Sequence, residues 1–352
     1  MKKTILTLII LSFTFIFLGA SCVKVRIAES GLGVFKSFDK GESWQAKNSL
    51  FSLGPENKTL TGAEVTVLFF DPQDPGTIYL GTKSDGLFAS YDGGESWQLL
   101  KKVSGKSVQA VAVDPRAKQI VYFATSNQIF KSSDCNRSWQ TVYLETIPEL
   151  EITDLAIDNY DSAKIYAGFS DGRLIRSNNG GSSWVILNNF QSSVKQILIN
   201  PQDTRLLYVV TSRDGIFRSN DLGATWHSLD KSLEAFYGAR DIAKGVFDPT
   251  KKDALIIATQ YGLLRTDNQG ESWSAYKLLS QPGQVKIYSL AVNPKNPREI
   301  FYTTQSGFYK SFDNGENWFT KSLPGKKMAV AILIDPANPN LIYLGFASLK
   351  EK

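Results

Sequence analysis

One histidine, two cysteines and two methionines among 352 residues narrow the chemistry before any motif is sought. His227 stands alone, which argues against a His-centred nucleophilic triad and against a clustered-His metal site. Past the first twenty or so residues, no apolar run is long enough to cross a bilayer. No sustained 3.6-residue period appears, so helices are not the expected building blocks. Charge of one sign is scarce too. Lys+Arg 39 against Asp+Glu 34 is a mild excess, and it falls to +3 without Lys2 and Lys3. That is too little to point to nucleic acid.

What is present begins with "MKKTILTLIILSFTFIFLGASC". Two lysines, an apolar run from Ile5 to Leu18 and then small residues form a secretory signal pattern, too short for a spanning helix. Leu18-Gly-Ala-Ser-Cys22 resembles the lipobox of bacterial lipoproteins, with Leu four residues before Cys rather than the commoner three. The resemblance implies a signal over 1–21, lipidated Cys22 and a tether over 22–32. It places the chain outside the cytoplasm on the bacterial cell membrane, or on the outer membrane of a two-membrane cell. The alternative is an ordinary signal peptide with a chance cysteine. An acylated Cys22 leaves Cys135 without a partner, so the exported chain must rely on its hydrophobic core.

The tryptophans carry the organisation. Trp44, Trp97, Trp139, Trp184, Trp226, Trp273 and Trp318 are all seven in the chain, spaced by 53, 42, 45, 42, 47 and 45 residues. Each closes one motif: SFDKGESW, SYDGGESW, SSDCNRSW, SNNGGSSW, SNDLGATW, TDNQGESW and SFDNGENW. An apolar run ending in Asp-Pro or Asn-Pro belongs to six of the repeats, and Asp158-Asn159 stands in for it in the remaining one. Short β-branched and aromatic runs bounded by Gly, Pro, Asn and Asp give four strands per repeat. A four-stranded unit recurring every ~40–50 residues predicts an all-β, seven-bladed β-propeller over 33–350. The last apolar unit (327–347) lacks a motif and the chain start (25–46) supplies one, so the final blade should pair both termini.

The motif S-x-D-x-G-x-S/T-W resembles the Asp-box, or BNR repeat, of sialidases, xyloglucanase-type hydrolases, sortilin-type receptors and photosystem II assembly-factor propellers. Those families do unrelated things, so the resemblance speaks to fold more than to function. The expected structural set is Asp39, Asp92, Asp134, Asn179, Asp221, Asn268 and Asp313 with their seven tryptophans. The acid should accept turn N–H groups, the glycine should allow positive φ, and the tryptophan should cover a seam. Asn179 and Asn268 keep an acceptor but lose the charge, which a turn tolerates and a catalytic acid does not. No metal is expected, since only one carboxylate recurs. A cation precedes six motifs (Lys36, Lys131, Arg176, Arg218, Arg265 and Lys310, with Ala89 the exception). It reads as an outward residue of an outer strand beside the turn's acids.

In the families that the motif resembles, ligands usually engage the end opposite these turns, which directs the search for binding candidates there. A long connection over 227–244 carries Phe236, Tyr237, Arg240 and Asp241, and another spans 46–62. Four residues before each Asp/Asn of the Asp-Pro position stand Val67, Ala110, Asp154, Gln196, Lys244, Ser289 and Ala331. Asp154, Gln196 and Lys244 are the channel candidates. A sialidase should show Phe/Tyr-Arg-Ile-Pro, and "VRIAES" lacks the aromatic and the proline. The xyloglucanase type generally places two propellers around a cleft, and one is present here. The sortilin type brings cysteine-rich modules that this chain lacks. The expected function is a non-catalytic, monomeric scaffold, lipid-anchored at the membrane and holding a protein partner, without cofactor or nucleic acid. The alternative is a glycoside hydrolase or carbohydrate-binding propeller.

Overall fold

The computed structural model describes residues 31–52, 58–60, 62–100 and 103–348. Cys22, the signal segment and residues 25–30 of the predicted last blade lie outside the described residues.

Seven four-stranded antiparallel sheets surround a central channel. Their inner strands are Val65–Asp71, Val108–Val113, Ile152–Ile157, Val194–Ile199, Ile242–Phe247, Ile287–Asn293 and Met328–Ile334, numbered here as blades 1 to 7. Second strands are the core. "VYFAT", "IYAGF", "LYVVT" and "LIIAT" are buried throughout, because both of their faces pack against neighbouring blades. Blade 7 takes Met328–Ile334 and Ile342–Ala347 from one end of the chain and Gly33–Ser37 and Gln45–Ala46 from the other. Gly33–Ser37 pairs with Ile342–Phe346 in five registered positions, closing the ring without a free inner edge.

Two turn devices repeat around one end. Asp71, Asp114, Asp158, Asn200, Asp248, Asn293 and Asp335 are buried, and each accepts the N–H two residues on at 2.7–2.8 Å. This Asx-turn ends every inner strand, including the one that lacks proline. In the motif turns the leading hydroxyl bridges two groups. Ser90 Oγ donates to Asp92 Oδ1 at 2.7 Å and accepts from Gly94 N at 2.8 Å. Asp92 then accepts the Ser96 amide at 2.9 Å and hydroxyl at 2.6 Å. Asn179 keeps the backbone bond and reverses the other, its amide donating to Ser183 Oγ at 2.9 Å. Two successive residues in each turn have positive φ, such as Lys40 (55°) and Gly41 (81°). Glycine is favoured at the second because a Cβ on Gly94 would stand 2.9 Å from the Tyr343 ring.

The cation before the motif does not point outward. Lys36 and Lys310 are buried, and the side chains cross to the next blade. Lys36 donates to Gly93 O, Lys131 to Gly180 O, Arg176 to Leu222 O, Arg218 to Gln269 O and Lys310 to Lys40 O. Each acceptor follows the Asp/Asn of the next motif turn, so five cations staple consecutive blades. Arg265 differs, pairing with Asp248 and Asp267. Where the cation is missing, at Ala89, the facing turn has Asn136 instead of glycine, and its amide reaches back to Tyr79 Oη at 2.9 Å.

Candidate functional site

The opposite end is built from blade-to-blade connections and second-to-third-strand turns, and here the repeat becomes irregular. Every inner strand carries a β-bulge near its start, with Thr66, Gln109, Thr153, Lys195, Ala243, Tyr288 and Val330 as the extra residues. A bulge bends its strand and re-aims the next side chain. The residues re-aimed are those of the predicted channel register.

Three of them span to the neighbouring blade. Asp154 accepts Ile197 N at 2.7 Å, Gln196 accepts Gly245 N at 2.9 Å, and Ser289 accepts Ile332 N at 3.0 Å. Gln196 also donates to Gly245 O at 3.1 Å. In each case the acceptor is a channel residue, and the donor amide follows the channel residue of the next blade. These polar positions therefore hold the inner strands together. Lys244 cannot follow the pattern, since an ammonium has no acceptor. It stays open to channel water while strands enclose it. Burial pushes its pKa down, and the charge of Asp154 opposes that fall. Burial raises Asp154 to about 6 against the pull of the Ile197 amide and Lys244.

The 227–244 connection lies at the rim. Leu233 and Ala239 are buried, and Phe236 packs edge-on to Tyr261 at 5.2 Å, so Phe236 anchors the loop. Tyr237 is 91% exposed. Arg240 stands 3.5 Å from Asp230, and Asp241 stands 3.6 Å from Lys195. Beside the loop opens a pocket of about 390 Å³, lined by Lys195, Asp241, Thr259, Gln260, Gln284 and Lys286 among others. A Cβ on Gly238 would stand 3.2 Å from Gln260, which places the Tyr237 segment at the pocket edge. The structure thus brings Asp241 together with Lys195, and Asp154 with Lys244. It gives Phe236 and Gln196 packing and clamping contacts. Lys195, Lys286, Gln260 and Gln284 were not legible as a group, because the pocket draws on three blades.

Three other acids at this end are held in ion pairs. Glu64 pairs with Lys83 at 2.5 Å, while Arg173 pairs with Glu145 at 2.6 Å and with Asp171 at 2.7 Å. The described part of the 46–62 connection folds against blade 1. Trp97 N donates to Ser49 O and Phe51 N to Trp97 O, so this segment covers the blade's outer edge. Among the described residues, no group of three His, Cys, Asp or Glu is placed to hold a metal ion.

No family model matches the chain. A xyloglucanase of a Paenibacillus species is 25% identical over 326 residues, covering 81% of this chain and 29% of that protein. The chain spans about three-tenths of the length of the curated relatives it matches first. The GH74 enzyme of Niastella koreensis superposes with a TM-score of 0.68 at 17% identity, over 86% of this chain and 53% of the enzyme chain. A structure of YCF48 bound to D1 peptide superposes with a TM-score of 0.64 at 16% identity, over 87% of this chain and 99% of that one. The chain is a seven-bladed propeller with xyloglucanase relatives in sequence and with GH74 and YCF48 neighbours in fold.

Proposed function

We propose that this chain is an exported, lipid-anchored propeller that binds carbohydrate at its channel-mouth end and does not cleave it. The observation that carries the reading is the open polar pocket beside Tyr237, on the end opposite the motif turns. An exposed aromatic ring next to hydroxyl and amide side chains suits sugar recognition, with stacking on one side and hydrogen bonds on the other. Kinship to xyloglucanases over 81% of the chain supports the ligand class. Attachment at Cys22 is part of the proposal and rests on the Leu18–Cys22 segment.

Cleavage is left out for a chemical reason. Glycoside hydrolysis generally takes two carboxyl groups flanking the scissile bond, one of them with a raised pKa. Asp154 has the raised pKa, but its charged neighbour is Lys244, a cation. Glu64, Glu145, Asp171 and Asp241 are ion-paired, and Asp230, whose pKa burial also raises, stands 3.5 Å from Arg240.

A second reading, the protein scaffold, draws on one observation. The YCF48 chain bound to a peptide is covered over 99% of its length, whereas the sequence relatives are covered over about three-tenths. Calorimetric titration with xyloglucan oligosaccharides, beside a reducing-sugar assay, separates the readings. Binding weakened at least tenfold by Tyr237→Ala, with no sugar released, supports the carbohydrate reading. Sugar release abolished by Asp154→Asn makes the chain an enzyme. Absence of glycan binding alongside capture of one stoichiometric membrane-protein partner returns the scaffold.

A further inference from the structure

The pocket at the channel mouth is electrostatically unbalanced. Lys195 and Lys286 both line it and repel each other across it. Asp241, 3.6 Å from Lys195, is the acid of the lining. Lys195 places its ammonium 2.5 Å from Ile242 O, while Lys286 lies 5.7 Å from the Tyr288 ring. A third cation, Lys244, stands on the blade 5 inner strand whose first residue, Ile242, accepts from Lys195. The acid beside it, Asp154, is already committed to the Ile197 amide. Burial pushes the Lys195 pKa down, Asp241 opposes that fall, and Lys286 adds to it.

Two like charges facing a common pocket cost free energy until a counter-charge sits between them. A volume of about 390 Å³ lies in the range that holds small ligands. The rest of the polar lining, Thr259, Gln260 and Gln284, is neutral and can both donate and accept, as a ring of hydroxyls requires. On these grounds we propose that the pocket takes a carboxylate-bearing sugar, a uronate residue of a glycan, with its carboxylate between Lys195 and Lys286. The proposal rests on the carbohydrate reading above and narrows it to acidic glycans.

The test is a titration of the full chain with three probes: hexagalacturonate, its fully methyl-esterified form, and a neutral xyloglucan heptasaccharide. The expected result is binding of the free acid at least tenfold tighter than of the ester. That preference should shrink as salt is raised and disappear in Lys286→Met. Lys286 is exposed, so this variant leaves the core alone. Lys195→Met, with unfolding followed in parallel, checks the other side of the pocket. Equal affinity for acid and ester, or an unchanged preference in Lys286→Met, overturns the uronate inference while the carbohydrate reading stands. Failure to bind any of the three overturns both. Binding of an acidic peptide through the same lysines, without binding hexagalacturonate, assigns the carboxylate to a protein and overturns the inference.

Discussion

The two ends of the propeller follow opposite rules. At the motif-turn end the polar contacts recur from blade to blade: an Asx-turn after each inner strand, a hydroxyl network with Asp or Asn in each hairpin, and a cation stapling most blades to the next. At the channel-mouth end the same backbone bulges recur in all seven blades, yet the side chains they aim differ from blade to blade. Repetition at one end makes the disc, and variation at the other leaves lysines without full compensation and a tyrosine in solvent. One carboxylate from each end shows the contrast. Asp134 is held at about 2 by the Ser138 hydroxyl and amide, whereas burial raises Asp154 to about 6.

The contrast can be broken from either side. The largest effect should come from Gly315→Ala. Its Cβ would stand 2.3 Å from the Tyr276 ring, at φ +83°. A loss of about 3 kcal/mol in denaturant unfolding is expected. Asp154→Asn should move stability the other way. It keeps an acceptor for Ile197 N and removes a carboxylate whose folded pKa of about 6 lies above the ordinary 3.8. A raised carboxylate costs nothing below its unfolded value. Its cost grows from pH 3.8 to 6 and is complete above that. The variant should gain about 2 kcal/mol at pH 7, with the gain gone by pH 3.5, in urea titrations at both pH values.

Smaller effects probe the seams. Ala89→Lys alone should crowd Asn136, and Asn136→Gly alone should lose the bond to Tyr79 Oη. Combined, they rebuild the staple of the other seams, so a double-mutant cycle should show about 1 kcal/mol of favourable coupling. Additive losses would mean that cation and turn residue are independent. Asp92→Asn should cost less than about 1 kcal/mol, because Asn179 and Asn268 already sustain the same network with the hydroxyl bond reversed. A matching urea midpoint within that margin, at unchanged slope, checks it.

How much was legible depended on sequence distance. The motif turns are local, with bonds between residues two and four apart, so their chemistry could be read from eight residues. The channel register followed from counting back from Asp-Pro, because every inner strand has the same length to its Asx-turn. The staples were missed since their acceptors lie far along the chain: Lys36 and Gly93 are 57 residues apart, and Arg218 and Gln269 are 51 apart. Without that partner, a cation on an alternating strand reads as solvated. The bulges left no composition signal, because residues as different as Thr66, Lys195 and Tyr288 occupy them. Lys195 and Lys286 therefore could not be assigned to one pocket.

The most direct test of the division between the two ends pairs Tyr237→Ala with Asp92→Asn. Both variants are followed by unfolding and by titration with the same glycan. The account predicts that Tyr237→Ala unfolds at the wild-type midpoint and binds at least tenfold more weakly, while Asp92→Asn loses stability slightly and binds as wild type. Loss of binding in Asp92→Asn at an unchanged midpoint would contradict it.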